Sequence, residues 1–62
     1  MAHLARLSGR EREVARLTCR GLSNKQIAAE MGRSLSTIKK QLGSIFEKLG
    51  VSSRAKLHAL LR

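Results

Sequence analysis

Two short blocks of this 62-residue chain carry side chains suited to holding a polyanion: Ser23-Asn24-Lys25, and Ser36-Thr37 followed by Lys39-Lys40. Hydroxyl, amide and ammonium groups beside the free N–H groups of a helix start can hold a phosphate. Outward hydroxyls and lysines on a helix can reach phosphates and base edges in a DNA groove. Other chemistries lack material. The chain has neither Asp nor Tyr, and its His and Cys residues, His3, His58 and Cys19, stand too far apart for a zinc-ligand spacing. No acid–base pair or activated nucleophile can be assembled, so no enzyme is expected. No Gly-rich loop follows a strand to hold a nucleotide, so no cofactor or small-molecule ligand is expected either.

The second block lies on a helix with two faces. At about 100° per residue, Ile38, Leu42, Ile45 and Leu49 form one apolar stripe. Ser36, Lys40, Gly43 and Ser44 point the opposite way, with Thr37 and Lys39 on the flanks. Glu47 also faces outward and repels phosphate, so contact with a polyanion should end before that turn. Phe46, at the edge of the stripe, reads as core.

Punctuation places this helix among others. Ser8 with Glu11, and Ser23 with Gln26, have capping-box spacing, and Leu7 can pack forward as a staple. Ser34 or its neighbour caps the next helix, and Ser53 caps the last. Gly21, Gly32 and Gly50 supply stops. The expected helices span about 9–20, 24–31, 35–49 and 54–61. Their apolar positions are Val14, Leu17 and Thr18, then Ile27, Ala28 and Met31, then the stripe, then Ala55, Leu57, Leu60 and Leu61. No segment alternates with period two and proline is absent. The fold class is all-α, a four-helix bundle-like arrangement. A short helix over 24–31, a turn through Gly32 to Ser34 and a longer basic helix make a helix-turn-helix, whose second helix enters the major groove.

Charge agrees. Thirteen Lys and Arg face four acidic residues, all Glu, for a formal net charge of +9. Residues 33–62 hold Arg33, Lys39, Lys40, Lys48, Arg54, Lys56 and Arg62 against Glu47 alone. Such a field attracts nucleic acid; a merely solvated surface is the plainer alternative. With Phe46 the only aromatic, stacking platforms for single strands are missing, which favours duplex DNA. The length suits one domain with a small core, residues 1–62. One cysteine cannot form an internal disulfide and suits a reducing cytoplasm. No apolar run reaches membrane-spanning length, and Met1–Leu7 is too short and polar for a signal peptide.

The blocks LSGREREVARL, GLSNKQIAAEMG, S-x-x-TIK and IFEKLGV-S-SRA, in that order, resemble the LuxR/GerE-type (NarL/FixJ-like) helix-turn-helix, the output domain of many bacterial regulators. The resemblance covers Leu7 to Leu61. It implies a four-helix domain that binds a specific duplex in bacterial transcription regulation. Carried over by position, Lys39, Lys40, Gly43 and Ser44 would read bases. Asn24, Lys25, Thr37 and Lys48 would lie near phosphates, joined by Ser23 and Ser36 from the residue reading. The last helix would form a two-fold dimer contact; its leucines Leu57, Leu60 and Leu61 exceed what one face of a short helix needs, and they are expected to divide between that dimer surface and the core. RNA polymerase or a larger regulator are further partners the resemblance suggests, with a cytoplasmic, nucleoid-associated location.

The chain departs from the family pattern at three places. Arg33 replaces an apolar residue, Gln41 stands where His is frequent, and Gly43 replaces a polar or basic side chain. Such domains usually follow a receiver or ligand-binding domain, so either an excised output end or a stand-alone reader is expected. Two other readings stay open. The chain could be an interaction module that heterodimerises with a larger regulator through the surplus leucines and titrates it. It could also be a cationic binder of membranes or RNA without sequence choice.

Overall fold

Serine opens and glycine closes the helices that carry this fold. The computed structural model describes the backbone of residues 2–61 and the side chains of residues 4–61. The His3 side chain and Arg62, both part of the sequence reading, lie outside the described residues. The elements are α1 (Ala2–Ala5), α2 (Gly9–Cys19), α3 (Asn24–Met31), α4 (Leu35–Leu49) and α5 (Arg54–Leu61), with no strand among the described residues. The short α1 has no counterpart in the sequence reading, because it carries no capping signal.

Ser8 and Ser23 accept from the backbone N–H groups of Glu11 and Gln26, and both boxes are reciprocal. Ser34 accepts from the Thr37 N–H at the start of α4, and Ser53 from the Lys56 N–H at the start of α5. Each cap satisfies an N–H that the helix leaves without an internal partner, which stabilises by about 1 kcal/mol. The helix ends are equally regular. Gly32 and Gly50 sit at φ 65° and 68°, the left-handed region that other residues enter only with strain. The Arg33 N–H then reaches the Ala28 carbonyl at 2.9 Å, and the Val51 N–H reaches Phe46 at 3.0 Å. These are Schellman closures. The one at Gly32 reverses the chain between α3 and α4 and so sets the helix-turn-helix angle.

The apolar stripe of α4 is the centre of the core. Ile38 and Ile45 are fully buried and Leu42 nearly so, packed with Val14, Ala15 and Leu17 of α2 and Ile27 and Ala28 of α3. Leu7 is buried at the staple position before α2. Thr18 is also buried, its hydroxyl donating to the Val14 carbonyl at 2.9 Å, so no polar group is stranded there. Cys19 is half-buried, and that burial pushes its thiol pKa up, which favours packing over reactivity. Leu49, Phe46 and Met31 pack partly exposed against the same core.

Helix α5 corrects two expectations. Leu57, assigned to a dimer surface, is 0% exposed in the monomer. A short amphipathic helix needs one deeply seated residue to dock it on α2, and Leu57 fills that place. Ala55, expected among the apolar positions, is exposed. Leu61 packs partly against the core, while Leu60 is half-buried without joining it. Among the described residues no helix is long and apolar enough to cross a membrane.

Candidate nucleic-acid interface

The outward side of α4 begins in a hydroxyl cluster. The Ser34 hydroxyl lies 3.3 Å from that of Ser36 and 2.9 Å from that of Thr37. Ser34 and Ser36 are exposed and Thr37 is half-buried, all at the positive end of the helix dipole. One turn on, Lys39 and Lys40 are exposed. Among the described residues neither pairs with a carboxylate, since the only ion pairs are Arg16–Glu13 and Lys48–Glu11. Two neighbouring cations thus stand free on the first half of the helix.

Helix α3 brings a second set to this side of the molecule. Ser23 caps it, its own N–H engaged by Gln26 Oε1 at 2.8 Å, and Lys25 is exposed in the first turn. Asn24 is half-buried and its Oδ1 accepts from the Arg54 guanidinium, which also donates to the Leu22 carbonyl at 2.6 Å. Arg54 therefore ties the start of α5 to the loop that begins α3. With its carbonyl oxygen held, Asn24 still has amide N–H groups to donate.

The structure reassigns two members of the expected set. Ser44 is engaged within the chain: its hydroxyl donates to Glu11 Oε2 at 2.8 Å. Lys48 is paired: its Nζ donates to Glu11 Oε1 at 2.8 Å. The cause is the seam between α2 and α4. Ser44 and Lys48 are four residues apart on one edge of α4, and that edge lies against the first turn of α2. Glu11 receives both, plus the Ser8 N–H at 3.0 Å, and is 8% exposed. These donors, the Lys48 hydrogen bond foremost and then the Ser8 N–H, hold its carboxyl at about 2, against an ordinary 4.5, despite the opposing effect of burial. Glu11 is thus a cap locally and a clamp between helices.

What remains outward on α4 is narrow, with a hollow on each side. On the α2 side a shallow groove of about 540 Å³ runs past Arg10, Glu11, Lys40 and Gln41. The Gln41 Oε1 is buried there and has no hydrogen-bond partner among the described residues. On the α3 and α5 side, a smaller pit of about 230 Å³ lies beside Lys39 and Gly43. Gly43 is exposed at the outer edge of that pit.

Sequence reasoning missed Arg10 and Arg54. An arginine in the first turn of a helix opposes the dipole, so Arg10 carried a signal that its value lies elsewhere. Arg54 carried none, because its partners are more than two dozen residues away, at Asn24 and Leu22. Leu35, 40% exposed at the first turn of α4, continues the stripe past the edge of the core.

Comparison with known proteins bears on this geometry. The family described as "Bacterial regulatory proteins, luxR family" (GerE) matches residues 5–61. The "Probable transcriptional regulatory protein SgaR" of Hyphomicrobium methylovorum is 46% identical over 57 residues, covering 92% of this chain and 27% of that protein. The transcriptional regulatory protein UhpA of Escherichia coli is 43% identical over 51 residues, 82% of this chain and 26% of its own length. The transcriptional activator protein BglJ of the same species is 45% identical over 51 residues, 82% of this chain and 23% of its length. The chain thus spans about a quarter of the length of these three relatives. No solved structure shows a significant match. The all-helical fold, the helix-turn-helix of α3 and α4, and the family match over residues 5–61 agree, and the chain belongs to the luxR family of bacterial regulatory proteins, DNA-binding domains of transcription regulation.

Proposed function

We propose that this domain reads a specific duplex DNA sequence with the first two turns of α4 in the major groove. The observation that carries the reading is the unpaired, exposed Lys39–Lys40 pair between a hydroxyl-rich helix start and the α3 cap. Lys39 and Lys40 reach base edges; Ser36, Thr37, Ser23, Asn24 and Lys25 hold phosphates on either side, and Arg10 adds a phosphate contact across the α2 groove. Ser44 and Lys48 drop out of the contact set, because Glu11 holds both. The domain acts in the bacterial cytoplasm on the nucleoid, as a dimer whose half-sites lie about one helical turn apart. With Leu57 in the core, the dimer contact falls to Leu60 and the outer edge of Leu61.

The test begins with selection of bound duplexes from a random pool; a two-fold symmetric site is expected. Lys39→Ala and Lys40→Ala then lower affinity for that site more than for random duplex. Lys25→Ala lowers both alike and reduces the salt slope by about one unit. Equal losses on both duplexes for all three variants would remove base reading by α4.

A further inference from the structure

Gly43 sits in mid-helix on the outward flank of α4, where a glycine destabilises a helix relative to alanine. The two usual internal reasons for a glycine fail here. Its backbone is ordinary helix, since the positive-φ glycines are Gly21, Gly32 and Gly50. Nor does packing demand it: a Cβ built at Gly43 would meet no atom within 4 Å. Nothing among the described residues therefore calls for the absence of a side chain.

The surroundings indicate its chemistry. Gly43 edges a pit of about 230 Å³ whose other walls are Asn24, Lys39, Leu42, Phe46 and Arg54. Leu42 and Phe46 give it an apolar floor. Lys39 and Arg54 also line it, Arg54 held by Asn24 and the Leu22 carbonyl and Lys39 without a carboxylate partner among the described residues, so an apolar group carried on a polyanionic frame suits the pit. In duplex DNA the major groove offers one such group, the 5-methyl of thymine, beside the phosphates of its own strand. We infer that the Gly43 pit is a thymine-reading subsite, with the absent side chain letting the methyl-bearing base edge come down between α4 and the start of α5. The inference rests on the duplex-reading proposal above and adds to it the base that the second outward turn of α4 selects.

The probe is the duplex recovered by selection, with each thymine replaced in turn by deoxyuridine, which lacks only the methyl. One thymine per half-site should lose about fourfold in affinity on replacement, the effect of returning one methyl group to water. Gly43→Ala should abolish that discrimination and lower affinity for the selected duplex by about fivefold or more, as a mismatch does. The same variant should unfold roughly 4 to 8 °C higher than the parent, because the helix gains and nothing clashes. Stability and binding thus move in opposite directions, which separates the subsite from damage to the fold.

A selected duplex indifferent to every thymine-to-deoxyuridine change overturns the inference and leaves base reading by Lys39 and Lys40 standing. So does a Gly43→Ala variant that binds the selected duplex as tightly as the parent. Equal weakening of selected and random duplexes by Gly43→Ala assigns the pit to a sugar–phosphate contact and overturns the thymine reading. A pool that stays random removes the duplex-reading proposal itself, and the subsite with it.

Discussion

Replacing Glu11 by Gln should destabilise the domain in a way that depends on pH. Glu11 accepts from the Ser8 N–H, the Ser44 hydroxyl and the Lys48 ammonium, and its pKa falls from 4.5 to about 2. Taken whole, that shift corresponds to about 3 kcal/mol of stability at neutral pH. The Lys48 side chain is 45% exposed, so solvent screening brings the contribution of the pair below that figure. Glutamine keeps the shape, can still accept from the Ser8 N–H and can turn its amide toward Ser44. The expected loss for Glu11→Gln is therefore about 1–2 kcal/mol, charge-assisted bonds exchanged for neutral ones. For a domain of this size the whole stability is of order 3–9 kcal/mol, so the loss is large.

The sign follows from the lowered pKa. A carboxylate held below its unfolded value contributes fully above pH 4.5 and loses its contribution as pH falls toward about 2. Urea and thermal unfolding followed by circular dichroism at several pH values should show parent and variant well separated at pH 7. The two should converge as pH falls through that window. Every other residue, and the acid-induced repulsion of a chain already at +9, is common to both proteins, so the difference between the curves isolates Glu11. Two curves separated by the same amount from pH 7 to pH 2, or coincident at pH 7, would refute the clamp as an electrostatic device.

Two further outcomes follow from the reassigned residues. Lys48→Met should lower stability and, combined with Glu11→Gln, show a coupling of roughly 1 kcal/mol in a double-mutant cycle; its salt slope on duplex DNA should change less than that of Lys25→Ala. Leu57→Ala should destabilise the monomer by about 2–5 kcal/mol, seen as lost helix at every protein concentration, whereas Leu60→Ala should leave unfolding nearly unchanged and weaken cooperative occupation of paired half-sites. If Leu57→Ala only dissociated a dimer, its assignment to the core would be wrong.

The caps, the stops and the stripe were legible because each is a local relation. Ser8 and Glu11, or Ser23 and Gln26, satisfy one another across a single turn, whatever the rest of the chain does. Ile38, Leu42 and Ile45 share a face by periodicity alone. Periodicity gives an angle away from the core, and it does not say which neighbour lies at that angle. Ser44 and Lys48 stand on the flank of α4, and a free flank and one packed against α2 look alike in sequence. Glu11 meets them across 33 and 37 residues. Leu57 was unreadable for a related reason. An apolar residue on a short terminal helix suits a core or a partner equally, and only the docking of α5 on α2 decides.

The Glu11 clamp also shapes the field that DNA would meet. Without Lys48, the Glu11 carboxylate would lie bare in the groove that Arg10 and Lys40 line, where it would weaken their hold on a phosphate. Lys48 cancels it, which leaves Glu47 as the exposed anion of α4, on the last turn and beyond Gly43. The helix is thereby polarised along its length. Its first half combines the positive dipole end, three hydroxyls and two unpaired lysines. Its second half is tied to α2 and close to neutral. A rigid, neutral rear half fixes the angle at which the cationic front half leaves the body of the domain, and base-edge hydrogen bonds tolerate little error in that angle. On the duplex-reading proposal, Ser44 and Lys48 therefore serve recognition by holding the front half of α4 in place through Glu11.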